Sequence, residues 1–187
     1  MKENRRVRVT KMVIRESLIE LMQEHPISKI SVKMICEAAD INRSTFYAHY
    51  PDQYDLLDKI QQETANGIRE QILGTRFFEQ KEDSLSVVTR VLEYAKANAL
   101  LFKVLLSEDG GADFLSEIML LAQKKVLEEL RDDSNREPWI LKYVELFAVS
   151  GVLSVIRRWL DDGCAEEPDV LAALVMDLVM RGMTSQY

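Results

Sequence analysis

The sequence predicts an all-α protein with about nine helices, arranged as a small three-helix head followed by a longer helical-bundle body. Apolar residues recur at spacings of three and four along most of the 187 residues, as they do on one face of a helix. No stretch alternates polar and apolar residues as a half-exposed strand does. We expect the head to occupy residues 1–51 and the body residues 52–187.

Helix boundaries follow from capping residues and from breaks in the chain. Ser31, Asn42 and Asp52 have side chains that can accept hydrogen bonds from the first free N–H groups of a helix. Pro26 ends the first helix, and Pro168 begins the last one. Residues 1–8 are expected to form a disordered basic arm. The predicted helices span, in order, residues 9–24, two short helices within 31–50, and 52–73, 84–97, 99–106, 112–130, 139–160 and 168–181.

The second short helix, which follows the tight break Asp40-Ile41-Asn42, is unusually polar. Phe46 and Tyr50 lie one turn apart and can anchor it to a core. Its other side chains are mostly hydrogen-bond donors, namely Arg43, Ser44, Thr45, Tyr47 and His49. A helix this short is unstable alone, so it has to be held on a core while its polar face contacts a partner. A helix-turn-helix presents such a face to the major groove of DNA.

These residues resemble the tetracycline-repressor (TetR) family of transcription regulators. The elements that match the family pattern are Ile35-Cys36, Ala39, Asp40-Ile41-Asn42, the run from Thr45 to Tyr50, Pro51-Asp52-Gln53 and Leu56-Leu57. Two positions depart from the pattern. Asp40 stands where glycine is usual, and it tolerates the left-handed backbone of the turn at some cost. Gln53 replaces the usual lysine, which reduces a phosphate contact to a neutral hydrogen bond.

The resemblance implies a DNA-binding head. We expect Arg43 to make a bidentate contact to guanine, and Ser44 and Ala48 to face base edges. The matching family positions that hold DNA phosphates are Ser31, Lys33, Thr45, Tyr47 and His49, with Gln53 as a neutral partner. The partner is then double-stranded DNA, and a dimer would require an operator that is an inverted repeat.

The charge distribution agrees with a DNA-binding head on a body that does not bind DNA. The formal net charge is −7, yet residues 1–50 carry 9 Lys or Arg against 6 Asp or Glu. The remaining residues carry 15 against 25, and the first fifteen residues carry 6 against 1. A basic N-terminus on an acidic body is typical of a DNA-reading head joined to a sensing or dimerising domain. A basic terminus that is merely solvated is the alternative interpretation.

The last two helices predict a dimer interface. Between Val170 and Met180 the only polar residue is Asp177, so this helix has to be covered on more than one side. The expected interface residues are Ala148, Gly151, Ser154, Val155, Trp159, Leu171, Leu174, Val175 and Leu178, of which the first three are small enough for a close helix approach. The alternative is a buried helix pair within a monomer. Residues 151–168 are also similar to the C-terminal region of regulators of the dihydroxyacetone-kinase activator type.

The resemblance further implies that the body responds to an effector. This effector would be a small molecule or a partner protein. Residues that could line a cavity for it are Tyr94, Phe102, Met119, Tyr143, Phe147 and Trp159. At helical spacing, the same residues also serve as ordinary core, so both interpretations stay open.

Other classes of function find little support. Catalytic and metal-binding spacings such as HExxH, CxxC and GxSxG are absent, so neither an enzyme nor a cofactor is expected. Cys36 and Cys164 are too few for a disulfide framework and favour a reducing cytoplasm. No apolar run reaches the length of a membrane span, so no membrane partner is expected. The sequence therefore favours a homodimeric transcription regulator, specifically a repressor; the alternative is a helical module whose head binds protein.

Overall fold

The computed structural model describes residues 5–73, 84–107, 114–121 and 138–184, and all regular structure in these segments is helical. The α-helices there are α1 (Arg5–Leu21), α2 (Val32–Ala38), α3 (Arg43–Tyr47), α4 (Gln53–Leu73), α5 (Ser84–Ala97), α6 (Ala99–Leu105), α7 (114–121), α8 (Pro138–Asp161) and α9 (Pro168–Thr184). A 3-10 turn, Ile27–Lys29, precedes α2. The predicted all-α fold is confirmed. The predictions for residues 1–4, 74–83, 108–113 and 122–137 fall outside the described residues.

The first helix begins earlier than the sequence predicted. α1 starts at Arg5, so residues 5–8 are helical and do not belong to a disordered arm. No proline or glycine separates them from the rest of the helix, and the Thr10 hydroxyl donates to the Arg6 carbonyl at 3.0 Å. The helix ends at Leu21, earlier than the predicted Glu24, and a turn over residues 22–24 leads to Pro26, which disfavours helical backbone at His25.

The head is built on one small apolar core. Ile14 and Leu18 of α1, Ile35 of α2 and Phe46 of α3 are fully buried in it. Ile30, between the 3-10 turn and α2, fills the same core. Burial of side chains of this size contributes about 1.5–3 kcal/mol each. The core therefore holds the five residues of α3 in place, although a helix of that length is unstable alone.

α4 is a continuous helix of 21 residues that packs against α1 of the head and α5 of the body. Two ion pairs fix it to its neighbours. Arg15 of α1 donates to the Glu63 carboxylate at 2.7 Å, and Arg69 donates to Glu117 of α7 at 2.8 Å. Both pairs are partly exposed, so they contribute less to stability than the apolar packing does.

The body is a bundle in which α5 packs against α4 and α9, α6 against α1 and α8, and α8 against α9. Its core includes the buried residues Leu92, Phe102, Leu105, Leu160 and Ala172. Lys96 of α5 pairs with Glu167, just before α9, at 2.9 Å. Within the part of the chain that the structure describes, no helix is long and apolar enough to cross a membrane.

The chain reverses direction between α8 and α9 through two residues with left-handed backbone. These are Gly163, with φ of 82°, and Cys164, with φ of 56°. The Cys164 N–H donates to the Trp159 carbonyl at 2.8 Å, and the Trp159 indole N–H donates to the Glu166 carbonyl at 3.0 Å. Trp159 is therefore part of the turn that positions α9.

Candidate nucleic-acid interface

The turn between α2 and α3 has the left-handed backbone expected for Asp40. Its φ is 49°, and the N–H of the next residue, Ile41, donates to the Cys36 carbonyl at 3.0 Å. This conformation costs a non-glycine residue about 1–2 kcal/mol, and Asp is among the residues that adopt it most readily. Burial raises the pKa of the Cys36 thiol, so this thiol stays protonated at neutral pH and serves as a small core residue.

Asn42 organises the start of α3. Its side-chain oxygen accepts hydrogen bonds from the Thr45 N–H at 2.8 Å, the Thr45 hydroxyl at 2.9 Å and the Ser44 hydroxyl at 2.6 Å. Ser31 caps α2 in a similar way, since its hydroxyl oxygen accepts from the Met34 N–H at 3.3 Å. Both predicted caps are confirmed. Because the Ser44 hydroxyl donates to Asn42 in this conformation, its oxygen is available as an acceptor toward a partner.

An aromatic cluster anchors the end of α3. The buried Phe46 ring lies 5.7 Å from the Tyr47 ring and 5.8 Å from the Tyr50 ring, centroid to centroid. The Lys59 ammonium of α4 lies 5.1 Å from the Tyr50 ring centroid and pairs with Asp55 at 2.7 Å. Lys59 is not among the residues predicted from the sequence, and its one sequence signal is its position four residues after Asp55.

The predicted DNA-binding residues lie largely on the surface of the head. Six of them are exposed: Ser31, Lys33, Arg43, Ser44, Tyr47 and Ala48. Three are half-buried: Thr45, His49 and Gln53. Tyr47 remains 55% exposed, which is unusual for an aromatic residue that only packs a core. Lys33 and Arg43 line the same shallow groove beside the turn between α2 and α3.

Two acidic groups limit the positive potential of this surface. The Lys33 ammonium lies 3.6 Å from the Glu37 carboxylate, and this exposed pair is weak enough to open for a phosphate. At the start of α4, the Asp52 carboxylate accepts from the N–H groups of Tyr54 and Asp55, both at 2.9 Å. Gln53 therefore lies next to a negative charge that occupies the N-terminus of α4.

The residues predicted to line an effector cavity are distributed over four helices, from α5 to α8. Tyr94 and Phe102 pack edge to face in the body, with ring centroids 5.7 Å apart. Met119 is half-buried in α7. Tyr143 and Phe147 lie on the exposed side of α8, where they are 61% and 78% exposed. With the buried Trp159 these residues make up the six candidates, and their role in binding an effector stays a prediction.

The predicted dimer-interface residues fall into two groups. Ala148, Trp159, Leu171 and Val175 are buried within the protomer, which differs from the expectation that they lie at its surface. Leu174 and Leu178 of α9 and Ser154 of α8 are exposed, and Gly151 and Val155 are half-buried. No atom of the described residues lies within 4 Å of a Cβ built on Gly151, so its space is open within the protomer.

An apolar groove of about 400 Å³ runs between α8 and α9. Its walls include Tyr143, Phe147, Gly151 and Val155 of α8 and Leu178 of α9. The sequence identified both helices but not which of their sides remains uncovered.

Comparisons with known proteins agree with this architecture. Residues 82–181 match the family described as transcriptional regulator C-terminal region, and residues 14–60 match the bacterial regulatory proteins of the tetR family. The uncharacterized HTH-type transcriptional regulator YxbF of Bacillus subtilis strain 168 is 20% identical over 178 residues, and the match covers 90% of this chain and 44% of YxbF. The chain thus spans less than half the length of that relative.

Two solved structures illustrate the shared fold. A TetR transcriptional regulator from Streptococcus agalactiae 2603V is 22% identical with a TM-score of 0.67, covering 94% of this chain and 96% of that one. The dihydroxyacetone kinase operon activator DhaS is 19% identical with a TM-score of 0.59, covering 92% and 95%. At such identities the likeness concerns the fold. Since the C-terminal match alone covers more than half of the sequence, the chain belongs to the TetR family of bacterial transcriptional regulators.

Proposed function

We propose that this protein is a sequence-specific DNA-binding transcription regulator that acts as a repressor in the form of a homodimer. The observation that carries the proposal is the state of α3. Phe46 is fully buried, while Arg43, Ser44, Tyr47 and Ala48 are exposed on a helix whose start is capped. A helix fixed by its core that presents donors and acceptors outward is suited to read base edges in a major groove.

The exposed residues divide into two roles in this proposal. Arg43 contacts guanine through its two parallel N–H groups, and the Ala48 methyl group meets a base edge. The Ser44 hydroxyl oxygen accepts from a base amino group, since its proton is held by Asn42. The residues that hold the phosphates are Ser31, Lys33, Thr45, Tyr47 and His49, with a weak contribution from Gln53.

The dimer would form through the uncovered sides of α8 and α9. Phe147, Leu174 and Leu178 are 78%, 51% and 55% exposed. Phe147 and Leu178 line the apolar groove between the two helices, and Leu174 precedes Leu178 by four residues on α9. A contiguous apolar surface of this kind is typical of an interaction site. A two-fold dimer has two heads, and these bind an inverted repeat if their recognition helices lie about 34–36 Å apart.

Regulation belongs to the body in this proposal, with residues 1–51 as the DNA-binding domain and residues 52–187 as the regulatory and dimerisation domain. A small molecule or partner protein that binds only one arrangement of the body would change the distance between the heads. DNA is released when that distance no longer fits the operator. The continuous helix α4, which packs on both parts, supports this coupling.

A gel-shift titration with fragments from the protein's own promoter region tests the proposal. We expect the wild-type protein to shift a fragment that contains an inverted repeat and to prefer it over scrambled DNA. The Arg43→Ala protein should lose this preference. Lys29→Ala is the matched control, because Lys29 is an exposed cation of the head outside α3. If no such fragment shifts at low salt, the alternative function, a helical module whose head binds protein, is favoured instead.

A further inference from the structure

A second cavity, with a volume of about 750 Å³, lies where the head meets the body. One wall is formed by α1, with Met12 and Ile19, and the opposite wall by the junction of α5 and α6, with Tyr94 and Leu100. Ile60 of α4 lies between these walls. Small-molecule sites in proteins have volumes of this order. This head–body cleft is separate from the groove between α8 and α9.

Positive charge collects at one end of the head–body cleft. The cations that line it are Arg8, Lys11 and Arg15 of α1 and Lys59 of α4. The three on α1 are spaced by three and four residues, so they share one face of the helix. The carboxylate among them is Glu63, which is paired with Arg15 at 2.7 Å. The other carboxylates of the cleft, Glu16 and Glu20, follow later on α1.

The Tyr50 hydroxyl lies within this cationic end. Its electrostatic neighbours are three cations, Lys11, Lys59 and Arg15, and one carboxylate, Glu63. Burial raises the pKa of the Tyr50 phenol, so the hydroxyl remains a hydrogen-bond donor at neutral pH. Lys59 shares its charge with Asp55 and Arg15 shares its charge with Glu63, so an anion here would compete with two partly exposed ion pairs. The Tyr50 hydroxyl and the Lys11 ammonium are the donors that it would gain.

Apolar surface continues from the cationic end toward the body. Met12 is 49% exposed and Leu100 is 39% exposed, and both lie in the wall of the head–body cleft. A ligand that covers them gains hydrophobic free energy in proportion to the apolar area that it buries. The cleft thus combines charged recognition groups with adjoining apolar surface.

We propose that the head–body cleft binds a small amphipathic anion. Its charged group lies beside Tyr50, between Lys11 and Lys59, and its apolar part packs on Met12 and Leu100. The bound molecule would contact the head and the body at once, because Tyr50 packs on Phe46 of α3 while Leu100 belongs to α6. An effect on DNA binding rests on the proposed function, whereas binding of the anion does not.

The test compares two fluorescent probes in the absence of DNA. Anilinonaphthalene sulfonate carries an anionic group, and phenylnaphthylamine has the same rings without it. We expect Lys11→Gln to weaken the binding of anilinonaphthalene sulfonate by about fivefold, the effect of losing one modest charge contact. The binding of phenylnaphthylamine should be unchanged. Leu100→Asp should weaken both probes. Lys29→Gln, which removes a cation outside the cleft, should change neither.

The apolar groove between α8 and α9 is the competing site for either probe. Phe147→Ser alters that groove and should leave the component of sulfonate binding that depends on Lys11 intact. The proposal is overturned if the sulfonate binds equally to the wild type and to Lys11→Gln, or if Phe147→Ser abolishes all sulfonate binding. If the wild-type protein binds no operator but shows Lys11-dependent binding of the sulfonate, the proposed DNA-binding function is contradicted and the anion site is not.

Discussion

The phenol ring of Tyr94 in α5 lies directly against Gly67 in α4. A Cβ built on Gly67 would come within 2.7 Å of Tyr94 Cζ, closer than side-chain carbons approach in folded proteins. The ring is also held edge to face by Phe102, 5.7 Å away. Gly67 therefore lets the two helices pack with a tyrosine between them, and this contact fixes how α4 lies on the body.

The first prediction concerns this contact. Gly67→Ala should lower the free energy of unfolding by about 1 kcal/mol, because the Tyr94 ring has to shift from its edge-to-face contact with Phe102. In a Tyr94→Leu background, Gly67→Ala should raise the free energy of unfolding by about 0.5–1 kcal/mol, since alanine is favoured over glycine inside a helix. Urea unfolding of the four proteins measures both values. Equal destabilisation in the two backgrounds would show that Tyr94 is not the obstacle.

The second prediction concerns the cap of α3. Asn42→Ala removes the acceptor of three hydrogen bonds and should cost about 1 kcal/mol of stability. DNA binding should weaken at every sequence alike, because the whole recognition helix loses its fixed start. Asn42→Ser, which keeps a capping oxygen, is the control and should retain most of both properties. Thermal unfolding measures the stability, and gel shifts measure the DNA affinity. A loss of affinity confined to one base position of the operator would identify Asn42 as a base contact.

The third prediction separates base readout from phosphate binding. Arg43→Ala should lose about 1–3 kcal/mol of discrimination at one base pair, whereas Tyr47→Phe should weaken all sites equally. Competition gel shifts with single-base operator variants measure the difference. If Arg43→Ala weakens every sequence to the same extent, Arg43 contacts phosphate and its assignment has to be reversed.

The fourth prediction concerns salt. Gln53 is neutral and lies beside the Asp52 carboxylate, so it should release no counterion when DNA binds. Gln53→Lys should steepen the plot of log affinity against log salt concentration by roughly 0.9 for each phosphate that the new lysine neutralises. Gln62→Lys adds the same charge farther along α4, at an exposed position, and should leave the slope nearly unchanged. An unchanged slope in Gln53→Lys would mean that residue 53 does not approach the DNA backbone.

The fifth prediction concerns assembly. Leucine at Gly151 meets open space within the protomer, so Gly151→Leu should fold normally but obstruct a second copy. Phe147→Ser should also yield monomers, because it removes the most exposed aromatic side chain of α8. Leu120→Ser changes a 66% exposed leucine of α7 and should remain dimeric. Sedimentation velocity at micromolar concentration distinguishes monomers from dimers. A Gly151→Leu protein that stays dimeric would contradict the proposed interface between α8 and α9.

Local chemistry made the head the most predictable part of the chain. Caps such as Ser31 and Asn42 act on N–H groups two or three residues away, so sequence spacing is enough to identify them. The left-handed Asp40 follows from the same short-range reasoning. The side chains predicted to contact DNA are exposed or half-buried around these caps, and their roles in binding stay predictions.

The body was less predictable because its faces depend on distant partners. Val170–Met180 is apolar on nearly all sides, so composition could not distinguish Leu171, which is buried, from Leu174, which is 51% exposed. Trp159 was a candidate both for the dimer interface and for a body cavity, and the turn after α8 buries its indole within the protomer. The head–body cleft was missed for the same reason, since Lys11 and Lys59 are far apart in the sequence.

The length of α4 has a mechanical consequence for any DNA-bound dimer. At 1.5 Å per residue, its 21 residues form a rod about 32 Å long, joined to the head by the buried Leu56 and Leu57 near its start and to the body through Arg69 near its end. A tilt of about 5° at the body end moves the far end by about 3 Å, close to the ~3.4 Å rise of one base pair. A small rotation in the body is thereby amplified into a register error of about one base pair at each half-site.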